Sequence, residues 1–564
     1  MAFPSPIGYS DFLQLRKAGA YYVDKTELLE HLLVRHSQVV LFPRPRRFGK
    51  TLMQSVLRYF FEIRDEDLSW MYQDLQVWQC QECRKHFQKH PVIDLSFKGV
   101  KRDTFEGLIE GVRGVVGEEF RRHMYLLDSH ELRADEKRFF ETVLDRTVSV
   151  ARLQESMALL CRWLDHHHHA MPVILLDEYD VPIQAAFRGG FYDQAMDGFF
   201  RDFITYAFKD NRHLFRGVLT GILRVSKESM FSGANNVDVY SILSKTYSTC
   251  FGFTQQEVDE IMAQVGDPDA ITVAREWYNG YQFAGHTIYN PWSVLNYAAK
   301  VHNGPKAYWT FTGSNDVLRT LVLGQAEEVT EDIKTLMHGG ALQRIVTDYM
   351  VMNDLQNDPD AVMNLLLLSG YLTMRTCKLI DGRYHAQLVI PNKEVHVMFE
   401  ENIIHWTEEM APDGRRGLRL LYRAMFAGAE EEFEELLSAM VVNTLSYHDM
   451  RDDSPEAVFQ AFILGAMLSL RDEYMVKSNR ESGYGRYDLA LIPKKPGKPG
   501  VIFEFKRLRK RRNETPQQAL DAAQAQMLKL DYDADQREAG ADPVVKWAVA
   551  FQGKQLWLRL VDGG

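Results

Sequence analysis

Asp488, Glu504 and Lys506 are residue types that together can hydrolyse a phosphodiester. Asp488 lies in the apolar run YDLALI (487–492), and Glu504 and Lys506 lie in GVIFEFK (500–506). A turn rich in Pro, Gly and Lys joins the two runs. Each run reads as a buried strand, and the pair reads as a hairpin. Glu504 and Lys506 are two apart, so a strand points both to one face. Two acids and a lysine gathered at one sheet edge make little sense as core. Carboxylate oxygens suit a hard divalent cation, Mg²⁺ or Mn²⁺. Such a cation polarises a phosphate and acidifies a bound water, and the lysine can orient that water or stabilise developing charge. From Lys506 to Arg512 (KRLRKRR), six residues of seven are basic, and Lys494, Lys495 and Lys498 add to them from the turn. Arg507, Arg509, Lys510, Arg511 and Arg512 stand where a nucleic-acid backbone, DNA first of all, would bind beside such a site.

A second set of residues suits a nucleotide. The apolar run QVVLF (38–42) is followed by PRPRRFGKTLMQSVLRYFF (43–61), in which Leu52, Val56, Tyr59 and Phe60 fall at helical spacing. Gly49, Lys50 and Thr51 therefore sit in the strand–loop–helix context of a phosphate-binding P-loop. Backbone N–H groups cradle phosphate there, Lys50 reaches the β/γ-phosphates of ATP, and the Thr51 hydroxyl binds Mg²⁺. The pattern departs at its first glycine, which is Arg44 here. The flanking Pro43 and Pro45 are expected to impose a different loop conformation. The run PVILLDEYD (172–180) reads as a central parallel strand ending in Asp177 and Glu178. Asp177 would hold Mg²⁺, directly or through water, and Glu178 would polarise the attacking water. A third strand, FRGVLTG (215–221), ends near Thr220, which fits a residue that senses the γ-phosphate. Arg224 and Lys227, just beyond, are candidates to reach the nucleotide or a neighbouring element.

The elements that must position these residues divide the chain into three. Residues 1–250 read as an α/β P-loop domain with a parallel sheet, carrying a mostly helical insertion over 100–165. Residues 251–434 read as a mainly helical region with a few short strand-like runs such as YHAQLVI (384–390). Residues 435–564 read as a second α/β domain. Asp24 and Glu27 in YVDKTE are expected to form a capping box for a helix through Leu33. The aromatic segments WYNGYQF (277–283) and YNPWSVLNY (289–297) read as buried packing of a helical lid against the first domain.

The ordered series YYVDKTELL, RPRRFGKTL, PVIDLSFK, LLDEYDVPI, TGILRVSKESMFSG, WYNGYQF, YNPWSVLNY, LLLLSGYLT, GRYDLALI and FEFK spans nearly the whole chain. It resembles the AAA-ATPase-like proteins with a C-terminal PD-(D/E)XK nuclease domain, which are related to the STAND-type and archaeal-ATPase P-loop groups. The resemblance implies an ASCE-type ATPase core, a helical middle and a nuclease-like C-terminal domain. It aligns Asp488 with the first acid of the nuclease motif and Glu504-Phe505-Lys506 with its second half. Tyr487 stands where the motif's name has proline. Glu456, in the amphipathic helix pattern SPEAVFQAFILGAML (454–468), becomes the candidate helix acid, and Gln526, in the helix pattern of 517–532, matches a glutamine often found beside such sites. The expected activity is ATP binding and hydrolysis joined to metal-dependent cleavage of DNA, with nucleotide controlling access to the second site or driving assembly into a homo-oligomer. The alternative is a STAND-like switch whose C-terminal domain binds nucleic acid or protein without cutting it.

Composition fits this picture. The hydrophobic fraction of 46% and charged fraction of 25% are those of an ordinary globular protein, and a net charge of −11 excludes a basic nucleic-acid coat. The absence of a long apolar stretch and of a signal-peptide pattern leads to the expectation of a cytoplasmic protein without a membrane span. Five cysteines in 564 residues do not make a disulfide framework. Cys80, Cys83, His86 and His90 offer four potential zinc ligands, but in a span shorter than structural zinc sites use, and the segment reads as a short polar helix or loop. The run His166 to His169 reads as a surface connector after a helix ending near Asp165.

Overall fold

A computed structural model describes residues 3–35, 37–225, 236–309, 327–337, 339–356, 358–411, 413–447, 465, 467–482, 485–508, 514–529, 533–552 and 555–561. The chain divides into two compact units, Met1–Thr312 with Gly339–Val395, and Gly313–His338 with His396–Gly564.

The first unit is built on five parallel strands: β1 (Val39–Pro43), β2 (Val92–Ser96), β3 (Val173–Asp177), β4 (Arg216–Gly221) and β5 (Val237–Val239), in the order β2-β3-β4-β1-β5. Every residue of β1 and β3 is buried, which explains why both are unbroken apolar runs: a central parallel strand is covered on both faces. The helix Lys50–Phe61 leaves β1 through the glycine-containing loop and buries Met53, Val56, Leu57, Phe60 and Phe61. The expected insertion is present as the helices Phe105–Arg122, Ala134–Leu144 and Val150–His168. The last of these runs three residues beyond Asp165. His167 bonds to Ser129 and His168 to Tyr125, so the histidine run finishes a helix rather than forming a connector. Asp24 also departs from expectation. Its carboxylate accepts from Thr26 and from the Gln76 N–H, and no reciprocal box with Glu27 forms at the helix Glu27–Val34.

Beyond the parallel sheet, this unit holds two small antiparallel sheets among helices. One is β6 (Phe253–Thr254), β7 (Tyr281–Phe283) and β8 (His286–Tyr289), in the order β6-β8-β7. The other is β9 (Leu342–Val346), β10 (Thr373–Ile380) and β11 (Arg383–Val389), in the order β10-β11-β9. The β7–β8 turn is Ala284-Gly285, with φ of 47° and 93°, the left-handed pair that a two-residue hairpin requires. The aromatic segment WYNGYQF is therefore half hairpin rather than all helix. Its Gly280 has φ of 114°, and a Cβ there would lie 2.1 Å from the Pro391 carbonyl oxygen. The hairpin aromatics do pack as expected: Tyr281 and Phe283 lie 5.2 and 5.3 Å, centroid to centroid, from Phe48 of the loop.

The second unit carries a mixed sheet, β12 (Tyr474–Ser482), β13 (Gly485–Pro493), β14 (Gly500–Arg507), β15 (Val544–Gln552) and β16 (Gln555–Leu560), in sequential order. Only β14 and β15 run parallel. Alternation sorts its two faces. Ala490, Ile502, Ala548 and Ala550 pack with Leu520, Ala523 and Met527 of the helix Pro516–Lys529. On the other face Phe503 and Trp547 meet Phe433 of the helix Glu430–Tyr447. Glu430 and Glu434 of that helix accept the Leu560 and Leu558 N–H groups, which blunts the exposed edge of β16.

Candidate functional site

The loop after β1 holds its lysine by backbone. Arg47 and Gly49 take left-handed φ of 69° and 84°, and the chain between β1 and the helix Lys50–Phe61 curls tightly as a result. Lys50 is only 7% exposed, and its ammonium donates to the Arg44 and Pro45 carbonyl oxygens at 2.8 Å each. Burial pulls its pKa down to about 8, against the pull of Asp177, Asp180 and Glu178. The next residue, Thr51, donates to one Asp177 carboxylate oxygen at 2.8 Å, and Thr220 at the end of β4 donates to the other at 2.5 Å. β4 lies between β1 and β3, so the sheet order brings Thr51, Asp177 and Thr220 to one edge. Glu178 follows with φ of 51°; burial first, then Asp177, raises its carboxyl above the ordinary range. A half-buried carboxylate of raised basicity is suited to take a proton from water.

Arg44, where the loop pattern has glycine, does not face this edge. It is fully buried. Its guanidinium donates to the carbonyls of Pro43 (3.1 Å), Tyr240 (2.6 Å) and Tyr247 (3.0 Å), and it lies over the rings of Phe251 and Phe283. Desolvation brings its pKa down to about 10. The arginine is thus a bolt between the loop and residues 240–251, a role that local sequence does not carry. Asp180 also escaped the sequence reading. It is buried and accepts the Ile222 and Leu223 N–H groups at 3.0 Å each, tying the end of β4 to the chain after β3. Arg224 does not join the lysine and the acids in any contact the structure records. It pairs with Asp348 at 3.1 Å, and its carbonyl accepts the Met350 N–H. Lys227 lies outside the described residues.

In the second unit the register does the gathering. Leu489 pairs with Phe503 at the end of the β13–β14 ladder, and Asp488 and Glu504 are the next residues on the two strands. One Asp488 oxygen accepts the Phe505 N–H at 2.7 Å. Glu504 is 1% exposed, and its carboxylate takes the Lys506 ammonium at 2.6 Å. Lys506 also donates to the Gln526 amide oxygen at 2.9 Å, from the helix covering this face. The apolar stripe of β13 and β14 ends where Asp488, Glu504 and Lys506 begin, so the site continues a buried sheet face. A carboxylate this deep is costly to bury without a cation beside it, and Lys506 supplies one. Two hard oxygen donors with a movable lysine fit a divalent cation. Arg507 is exposed at the end of β14; Glu456, Arg509, Lys510, Arg511 and Arg512 lie outside the described residues.

The cysteine–histidine segment forms a short helix, Gln81–Arg84. Cys83 points its thiol at Cys80, whereas His86 bonds to His90 and both rings stack on Phe215. Among the described residues no group of three or more His, Cys, Asp or Glu is placed to hold a metal. Among them, too, no helix is long and apolar enough to cross a membrane.

Residues 6–231 match the family described as predicted AAA-ATPase, and residues 454–559 match the PD-(D/E)XK nuclease superfamily. The chain is 27% identical over 559 residues to the uncharacterized protein in the vnfD 5′ region of Azotobacter chroococcum mcd 1, covering 97% of this chain and 96% of that protein.

Proposed function

We propose that this chain, which carries an AAA-ATPase-like domain and a PD-(D/E)XK nuclease superfamily domain, binds and hydrolyses ATP and cleaves DNA with Mg²⁺ or Mn²⁺ under nucleotide control. The two families imply use of a nucleotide and of a divalent metal. The choice of ATP, of the ion and of DNA is our reading. On that reading residues 1–250 are the ATPase region, 251–434 a mainly helical middle and 435–564 the nuclease region.

The observation that carries the reading is the contact set of Lys506, on Glu504 and Gln526, beside the oxygen of Asp488 that takes the Phe505 N–H. In the first domain Lys50 would leave the Arg44 and Pro45 carbonyls for the β- and γ-phosphates. Thr51 and Asp177 would hold the cation, and Thr220, bonded to Asp177, would report on the γ-phosphate. Glu178 would take the proton of the attacking water. In the second domain Asp488 and Glu504 would hold the divalent cation, with Glu456 as a further acid. When bound, the cation supplies Lewis-acid polarisation of the phosphate and a more acidic water. Lys506, released from Glu504 and oriented by Gln526, would hold that water or the charge that builds on the phosphate. Arg507 and the basic run Arg509 to Arg512 would grip the backbone.

The test is a cleavage assay on single- and double-stranded DNA and on RNA, with Mg²⁺ or Mn²⁺ and with no nucleotide, ADP or ATP. Metal-dependent cleavage that changes with ATP and vanishes in Glu504→Ala supports the proposal. Nucleotide-dependent binding of DNA without cleavage by any metal would replace it with the switch. The same cutting in all nucleotide states would leave two uncoupled activities.

A further inference from the structure

Three arginines crowd the loop after β1, and they do different things. Arg44 is buried as a bolt, and Arg46 is half-exposed. Arg47 is exposed, with its guanidinium carbon 4.4 Å from the ring centroid of Trp292. Its φ of 69° is unusual for an arginine, since glycine alone takes that conformation without strain. Such a residue persists where its surroundings or its function require it. The ring beneath it is held in place from both ends. The Trp292 N–H donates to Asn290, the N-cap of the helix Pro291–Ala299, at 2.9 Å, and the indole N–H donates to the Tyr308 carbonyl at 3.1 Å.

We infer that Arg47 is a phosphate-contacting residue of the nucleotide site, reaching the terminal phosphate of ATP, and that Trp292 holds its guanidinium ready when no nucleotide is bound. The inference rests on the loop being an ATP site. Two features place Arg47 on the terminal-phosphate side. Lys50 lies three residues on in the same loop, and the Arg47 guanidinium, whose pKa burial lowers, is near enough to feel the charge of Glu178, the residue next to Asp177. A phosphate offers the guanidinium fork charge-assisted, two-pronged hydrogen bonds that the face of the half-buried Trp292 ring does not.

The test is calorimetry of ATP, ADP and AMP on the full chain, wild type against Arg47→Gly and Arg47→Lys. Glycine adopts the left-handed conformation freely, so Arg47→Gly removes the side chain without straining the loop; a matching unfolding midpoint confirms that the fold is intact. ATP affinity should fall roughly tenfold to a hundredfold in Arg47→Gly, the worth of a charge-assisted contact. ADP should lose less, AMP should hold within about twofold, and Arg47→Lys should recover part of the loss. ATP-induced change in indole fluorescence should be smaller in Trp292→Phe and in Arg47→Gly than in wild type. Unchanged ATP affinity in Arg47→Gly overturns the inference. So does an equal loss for all three nucleotides, which would place Arg47 and Trp292 at the base rather than at the phosphate. A wild-type chain that binds none of the three refutes the ATP reading itself, a failure seen before any variant is made.

Discussion

The two candidate sites each set a lysine among acids, and they hold it in opposite ways. Lys50 donates to two neutral carbonyl oxygens and leaves the Asp177 carboxylate to the hydroxyls of Thr51 and Thr220. Lys506 sits directly on the Glu504 carboxylate and shares itself with Gln526. A buried lysine on neutral partners has its acids acting only from beyond hydrogen-bond contact, and its ammonium can turn to an anion without leaving a carboxylate. A lysine on a buried carboxylate has already cancelled a charge, so a metal cation must displace it before that carboxylate can serve. The first site is poised to gain a phosphate, and the second is closed until a cation opens it.

The largest expected effect tests the second half of that contrast. Glu504→Ala should lower metal-dependent cleavage by roughly a thousandfold or more, because it removes a ligand of the group that supplies several kcal/mol to the transition state. ATP binding should be unchanged in the same protein. Wild-type cleavage rates in Glu504→Ala, measured on the best DNA substrate, would move the chemistry elsewhere.

Lys50→Ala tests the first half. The ammonium would make charge-assisted bonds to two phosphates, so its removal should weaken ATP binding by about a hundredfold to several thousandfold. Calorimetry reads the loss directly. Unchanged affinity would show that the curled loop does not bind phosphate at all.

How far these sites could be read from sequence depends on the distance over which their parts interact. β1, β3, β4, β13 and β14 announce themselves as short apolar runs because each is buried on both faces or along one long stripe. Lys50 and Thr51 follow β1, and Asp177 and Glu178 close β3, so local pattern alone sets them at strand ends. The inward turn of Arg44 could not be read, since its partners Tyr240 and Tyr247 lie some two hundred positions on. The same is true of Arg47 on Trp292 and of Arg224 on Asp348. The hairpin β7–β8 was hidden for a different reason: its strands are three and four residues long, too short for periodicity to separate them from the helices around them. Its Ala284-Gly285 turn was the legible signal.

Lys506→Ala bears on the closure of the second site. Cleavage should fall roughly a hundredfold, the usual cost of losing one group that stabilises developing charge. Metal binding should tighten rather than weaken, because no lysine competes for Glu504. Titration with Mn²⁺ in the absence of DNA separates the two effects. Weaker Mn²⁺ binding in Lys506→Ala would break the comparison, since it would make the lysine a support of the metal site instead of its rival.

The smallest effect is a pH dependence, and it arises only where a lysine rests on neutral partners. Burial lowers the Lys50 pKa from the ordinary lysine value near 10.5 to about 8 in the nucleotide-free loop. A bound phosphate adds negative charge at the ammonium and favours its protonated form, so the pKa rises again in the complex. Between those two values ATP binding takes up a proton. Affinity should therefore be flat below about pH 8 and fall by up to about tenfold per pH unit above it. Stability of the nucleotide-free fold carries the opposite sign. The unfolded chain holds the Lys50 proton to higher pH than the fold does, so this group's penalty, about 3 kcal/mol at most, is relieved as pH rises from 8 towards 10.5. Calorimetry at pH 7 to 9.5, in buffers of different ionisation enthalpy, reads both the affinity and the proton. If the loop accepts arginine at this position, Lys50→Arg should remove the slope, because a guanidinium stays charged throughout that range. Proton uptake that persists unchanged in Lys50→Arg would assign it to another group and remove the electrostatic basis for calling the first site poised.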